Sequence, residues 1–386
     1  MMMNKMRRVG VIAALMLAMA LSLAARDGLK GKHIYVNPGH GGWTINDRPL
    51  STINHAAGDT TGFFETSASL WKSLELAQRL RDAGAKVTMS RTKNGYVADG
   101  DPKRTPNDRT ETYSDADGQP QLVTLAKIAE HVEKLKPDYF ISLHSNAATE
   151  GKLTNYQCIF YRGEYGAEYS KGSQARAELA TVYLHDNPLT VWTDTIAGKH
   201  YVTGDLTWYG VKPEKAKASA LGYKGYLAVL KHSAPGFLVE SSFHTYHPER
   251  HRLLNRDYCR LEGLRCYRAI RDYFGGEKDK LGHIAGLVKS ATDTIDNKLF
   301  KFVPGSFDRW LPINGATVTL CDRHGKARVV KHTDDEYNGF FAFFDVKPGR
   351  YIIRIEAPGY KTLEHEVTVK ADEITYMKMQ VRPKKR

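Results

Sequence analysis

The chain has 386 residues, a formal net charge of +13 and four cysteines. Its length suits about two domains. Cys158, Cys259, Cys266 and Cys321 have no CxxC spacing, so they read as core thiols and a cysteine-built metal site is excluded. Cys259 and Cys266 lie seven apart on one expected helix, about 10 Å from each other, and cannot pair there, which leaves only a bridge to Cys158 open.

In chain order, residues 1–25 come first. They have a basic start (Lys5, Arg7, Arg8), an apolar run from Val9 to Ala20 and small residues at Ser22, Ala24 and Ala25, the pattern of a secretory signal peptide. The run is short for a membrane span and no second one follows, so an exported protein without a transmembrane segment is expected, in the periplasm or cell envelope. No cysteine follows the run to carry a lipid anchor. A basic exported chain suits an anionic wall or envelope surface, or simply has a solvated basic face. Nucleic acid is set aside as a partner because no recognition motif is present.

The mature chain opens with HIYVNPGHGGW, from His33 to Trp43. Ile34, Tyr35 and Val36 read as a short strand that Pro38 ends, which places His40 just past a strand end. Gly39, Gly41 and Gly42 permit unusual backbone angles and leave the imidazole open to approach. An ordinary turn with an exposed histidine fits this stretch too, so partners elsewhere must decide.

GDTTGFFETSASLWKSLELAQRLRDAG places Leu70, Leu74, Ala77 and Leu80 at helical spacing and ends at Gly84, with AKVTMSR following as a strand. Glu65 stands at the start of that helix, where an acid also complements the macrodipole by about 0.5 kcal/mol. LVTLAKIAEHVEKLKPDYFISLHSNA repeats the scheme: a helix up to Lys136, a break at Pro137, then the apolar strand Tyr139–Leu143 closed by His144. GFLVE is a further buried strand, ending in Glu240, and residues 247–274 read as one closing helix. Strand, helix and strand in succession give an α/β domain, a mostly parallel sheet covered by helices, over residues 26–276.

Open sheets of this kind collect their sites at the carboxyl ends of strands. His40 and His144 share that position, and a carboxylate from Glu65 would complete three ligands with one place left for water, as in catalytic zinc sites. Glu240, directly after a buried strand, is costly to ionise unless a cation is near, the setting of a general base beside a metal.

After GGEKDK the helical period disappears. ATVTL, GFFAFFDV, RYIIRIEA and HEVTVKA alternate with turn signals, a small all-β sandwich over residues 281–386 that opens with HIAGLVKSA.

PGHGG, a glutamate at a helix start, ISLHSNA and PGFLVESSF, in this order, resemble the zinc-dependent N-acetylmuramoyl-L-alanine amidases of the amidase type 3 family, over about residues 32–274. The resemblance implies Zn2+ held by His40, Glu65 and His144, with Glu240 as the catalytic glutamate. It also implies cleavage of the amide between N-acetylmuramic acid and L-alanine in peptidoglycan or muropeptides. A zinc peptidase acting within the stem peptide, or an inactive wall-binding protein, are the alternatives.

Three departures stand out. Asn37 replaces the usual aspartate before Pro-Gly-His. The arginine usual in the second helix has only Lys127 near its place. Residues 155–224 read as an insertion carrying His185, His200, Tyr201, Asp205, Trp208 and Tyr209. The sandwich resembles carboxypeptidase regulatory-like, transthyretin-like domains through Asn314-Gly315-Ala316, Pro348-Gly349-Arg350-Tyr351 and Pro358-Gly359-Tyr360. Without acid, base or nucleophile in a constellation, it is expected to be a spacer or a module for the wall or a regulatory or envelope protein partner. It is also expected to fold alone and to be dispensable for chemistry.

Overall fold

The computed structural model describes residues 28–40, 63–94, 124–148, 152–193, 201–298 and 300–385, with short strand pairing also at 113–114 and 120–121. The expected signal peptide, Gly41, Gly42 and His200 lie outside the described residues. Among the described residues no helix is long and apolar enough to cross a membrane.

The first domain is built on a six-stranded sheet. Its strands are β1 (His33–Pro38), β2 (Lys86–Met89), β3 (Tyr139–Asn146), β4 (Cys158–Tyr161), β5 (Val202–Gly204) and β6 (Gly236–Phe243), in the order β2-β1-β3-β6-β4-β5. The first four in that order run parallel; β4 is antiparallel to β6, and β5 is parallel to β4. Alternation along the strands separates two cores. Ile34, Val36, Ile141, Leu143, Phe237 and Val239 pack on one face, Tyr35, Phe140, Leu238 and Phe160 on the other.

Helices α1 (Glu65–Asp82), α3 (Ser173–His185) and α6 (Arg256–Tyr273) contribute to the first core, and α2 (Leu125–Leu135) covers the second through Ile128 and Val132. The α1 and α6 backbones approach so closely that a Cβ at Gly263 would lie 2.3 Å from the Lys72 carbonyl oxygen. The closing helix is in fact two, α5 (His247–Leu254) and α6, because the Asn255 side chain accepts from the backbone N–H of Tyr258 and caps a new helix. Residues 155–224 are not an appendage to the sheet: they supply β4, α3, β5 and the short helix α4 (Asp205–Tyr209). All four cysteines are buried thiols.

The second domain packs two sheets around Ile284, Val318, Leu320, Phe341, Ile353 and Ile355. In one sheet β7 (Gly282–Thr294) pairs with β8 (Trp310–Pro312) and β11 (Phe340–Val346), and runs parallel to β14 (Ile374–Val381). The other has the order β10-β9-β12-β13, from β9 (Thr317–Asp322), β10 (Ala327–His332), β12 (Gly349–Glu356) and β13 (Leu363–Val369). The pairing is otherwise antiparallel, as a β-sandwich requires.

The expected independence of this domain is not what the packing shows. Ala285, Leu287, Phe340 and Ala342 belong to the same core as Leu253, Tyr258, Leu261 and Leu264 of the first domain, and the ring of Phe340 meets Tyr258 edge-on at 5.2 Å. Buried charges clasp the seam. Arg252 donates to Asp308 at 2.7 Å and to Glu249 at 2.6 Å, while the Tyr246 hydroxyl donates to the other Asp308 oxygen at 2.9 Å. Arg271 grips Asp372 with both terminal nitrogens, and Arg79 does the same to Asp345 at 3.1 and 3.2 Å.

Burial alone would raise the Asp308 and Asp372 carboxyls, but Arg252 and Lys289 outweigh it at the first, and Arg271 at the second, so both lie below the ordinary aspartate value. A depressed folded pKa gives stability that is present above the unfolded value, about pH 4, and lost as the pH falls through the folded value. Thermal melting across that window should show the parent losing stability, whereas Asp308→Asn should melt lower near neutrality but lose less on acidification. A parent melting temperature insensitive to acid would refute this account of the seam.

Candidate metal centre

Three elements bring the site together at the carboxyl edge of the sheet. His40 follows β1, His144 lies near the end of β3, and Glu65 is the first residue of α1. His40 adopts φ 60, a left-handed conformation that a non-glycine residue holds only when its surroundings impose it. Arg91, 1% exposed, does so: its guanidinium donates to the carbonyls of Gly39 at 2.7 Å, His40 at 3.2 Å and Thr66 at 3.0 Å. One cation thus ties the His40 turn to the first turn of α1. Gly39 is required for space, because a Cβ there would lie 2.5 Å from the imidazole of His144. The sequence reading located the conformational freedom in the glycines, but at 39–40 the histidine takes the unusual angle.

The side chains of His40, Glu65 and His144 converge. His40 Nε2 is 3.1 Å from Glu65 Oε2, His144 Nδ1 is 3.2 Å from Glu65 Oε1, and the three donor atoms lie within 4.8 Å of one another. The Ser145 backbone N–H donates to Glu65 Oε1 at 2.9 Å and fixes the carboxylate, which is 2% exposed. Burial pushes the His144 imidazole below its usual value despite its hydrogen bond to Glu65. Burial alone would raise the Glu65 carboxyl, but His40 and His144 outweigh it and hold it well below the usual range. A neutral imidazole and an ionised carboxylate are the forms that ligate a metal, and two nitrogens with one oxygen suit zinc. The residues present therefore fit the expected ion.

Supports lie behind the ligands. Lys72, wholly buried on α1, donates to the His144 carbonyl at 3.0 Å and to Ser241 Oγ at 2.8 Å, and pairs with Glu262 at 3.1 Å. Burial opposes its charge, but Glu262 more than compensates and the ammonium titrates above its usual value. Asn37 donates to Ser142 Oγ at 2.7 Å and accepts from Ser90 Oγ at 2.6 Å, joining β3, β1 and β2 beneath the site. An amide can donate and accept at once, whereas an ionised aspartate only accepts.

Glu240 lies on β6 in register with His144 on one side and Cys158 on the other, so it sits beside the histidine at the same sheet edge, outside the three-ligand group. Lys127 is half-exposed on α2 and pairs with Glu130 at 2.8 Å. His185 stacks on Trp192, and Trp208 packs on Phe160. Arg91 and Lys72 escaped the sequence reading. The signal is a cation where the pattern turns inward: Arg91 comes two residues after the buried Met89 that ends β2, and Lys72 stands four residues before the buried Leu76.

Metal analysis of the purified protein is expected to find about one zinc per chain, the stoichiometry of a single three-ligand site. His144→Ala should lose most of it. Full occupancy in that variant would remove His144 from the site.

A family model described as N-acetylmuramoyl-L-alanine amidase matches residues 34–272, and one described as a carboxypeptidase regulatory-like domain matches residues 311–382. No curated protein matches the chain. Among solved structures, the CwlD amidase of Clostridioides difficile, determined in complex with the GerS lipoprotein, is 16% identical, with 63% of this chain and 98% of that chain covered and a TM-score of 0.42. The amidase Ami1 of Mycobacterium smegmatis is 14% identical, with 64% and 99% covered and a TM-score of 0.44.

Proposed function

The chain belongs to the N-acetylmuramoyl-L-alanine amidase family, and from that premise we propose that it uses one zinc ion, held by His40, Glu65 and His144, to cleave the lactyl–alanine amide of peptidoglycan. The observation that carries this reading is the convergence of those three donors at 4.8 Å or less, next to the strand that bears Glu240. When bound, zinc supplies Lewis acidity to the scissile carbonyl and to water.

The chain's own groups do the rest. Glu240 accepts a proton from the attacking water at its carboxylate as the oxygen bonds to the carbonyl carbon. It returns that proton to the alanine nitrogen as the carbon–nitrogen bond breaks, leaving a lactyl carboxylate and a free amine. Arg91 and Lys72 act as positioning residues: the first holds the His40 backbone, the second the His144 carbonyl. Export by residues 1–25 would bring the enzyme to the wall, for remodelling, turnover or daughter-cell separation. The C-terminal domain is given an accessory role toward the wall or an envelope protein. A cavity of about 770 Å³, whose lining sets Arg260, Arg323, Arg328, Lys331, Lys347 and Arg350 against only Asp322 and Asp345, supports this through its excess of positive charge, since the wall is anionic.

Mass spectrometry of muropeptides released from purified sacculi, with and without a chelator, tests the proposal. Cleavage at the lactyl–alanine bond that stops on chelation is expected. New termini inside the stem peptide, with that bond intact, would instead make the protein a zinc peptidase. No release at all would make it a wall-binding protein.

A further inference from the structure

Four exposed aromatic side chains occur among the described residues, Tyr165, Tyr169, Tyr209 and Tyr226, and all of them fall between residues 165 and 226. Tyr209 and Tyr226 stack face to face, with ring centroids 3.8 Å apart and planes 17° apart, yet remain 41% and 47% exposed. Tyr209 packs toward Phe160 of β4 at 6.1 Å, two residues from Cys158, which is registered opposite Glu240. The pair therefore flanks β4, the strand next to the one that carries the proposed base. After burial, the carboxylate of Glu240 is the next influence that pushes the Tyr209 phenol up to about 12, which agrees with their proximity.

The pair is held in place by a costly device. Asp205 is fully buried; one carboxylate oxygen accepts from the Gly163 N–H at 2.9 Å, the other from the N–H groups of Tyr226 at 2.7 Å and Leu227 at 2.9 Å. Tyr209 stands four residues on in the same short helix, so one helical turn fixes both rings: one by its own side chain, the other through the backbone that Asp205 grips. Gly225 makes the approach feasible, since a Cβ there would come within 3.2 Å of the Asp205 carboxylate and 3.1 Å of Arg162. Burying a carboxylate is expensive unless hydrogen bonds satisfy it. Here those bonds order a loop whose outermost side chain is an aromatic ring left in water.

We propose that Tyr209 and Tyr226 form a sugar-binding platform, which receives a pyranose ring of the glycan strand that carries the scissile amide. The inference rests on the amidase reading, because such a substrate hangs its peptide on a sugar. A flat aromatic face complements the C–H face of a pyranose. A stem peptide, by contrast, would be met by charges rather than by an uncharged aromatic surface.

Calorimetric binding of peptide-free glycan strands to the full-length, zinc-loaded protein tests this without requiring turnover. Tyr226→Ala should weaken binding about tenfold, the size of one lost aromatic contact. Tyr226→Phe, which keeps the ring, should bind and melt like the parent. Unchanged affinity in Tyr226→Ala would overturn the platform, as would equal loss in Tyr226→Phe. Weakened binding of free stem peptide with glycan affinity intact would assign the surface to the peptide. Failure of the amidase reading would show separately, as intact lactyl–alanine bonds in the muropeptide digest.

Discussion

Glu240→Gln is expected to lower the turnover number by about 10² to 10⁴, the usual contribution of general acid–base catalysis and a barrier increase of roughly 3 to 5 kcal/mol. Glutamine keeps the size and most of the hydrogen-bonding shape of the side chain but cannot take a proton. Because Glu240 lies outside the group formed by His40, Glu65 and His144, zinc should stay at the parental level. Thermal melting separates this from a structural role. Were Glu240 half of a buried ion pair, the substitution would strand the cation and cost about 3 to 5 kcal/mol of stability. A variant that keeps its zinc, melts like the parent and turns over near the parental rate would refute the assignment of Glu240 as the base.

Ending the chain after Gly276 is expected to abolish stable folding. The texture of the sequence suggests the opposite, since every proposed catalytic group precedes that point. The seam reverses the expectation. Removing Ala285, Leu287, Phe340 and Ala342 takes four buried members out of the core that Leu253, Tyr258, Leu261 and Leu264 share, all now at most 1% exposed. Each large side chain of that core left in water costs about 1.5 to 3 kcal/mol, and a few together rival the 5 to 15 kcal/mol that typically holds a whole domain. The charges add to this: Arg252 would keep Glu249 but lose Asp308, and Arg271 would keep Asp272 but lose both Asp279 and Asp372. The shortened chain should be insoluble or melt far below the parent. A soluble, zinc-loaded product that melts cooperatively at the parental temperature would show that the two cores are separable after all.

Much of the candidate site could be read from local pattern. A strand halted by proline before His40, and an apolar run closed by His144, announce strand ends, and parallel sheets bring such ends together. Glu65 is found as soon as a third ligand is sought at a helix start. What stayed hidden depends on contacts distant in sequence. Arg91 reaches residues 39, 40 and 66, and Lys72 reaches 144, 241 and 262; nothing in the spacing of either segment encodes those partners. The split of the closing helix at Asn255 was missed because the apolar period continues across it while the capping side chain interrupts the backbone. The shared core has another reason to stay hidden: Phe340 and Leu287 lie on the face of their sheet opposite the sandwich interior, and alternation does not say which neighbour such a face will meet.

The seam also sets an order of assembly. Tyr258 waits for Phe340, Arg271 for Asp372 101 positions later, and β7 for β14, the last strand of the described chain. Contacts of such separation slow folding, because the loop must close before any of them is gained. A chain threaded across a membrane from its N-terminus would thus emerge with its metal ligands early and the cover of its core last. Until β14 arrives, the catalytic half would stand partly unpacked, with Leu253, Leu261 and Leu264 presented to whatever holds unfolded chains in that compartment. The C-terminal strand thereby completes the core: activity should appear only once β14 has paired with β7.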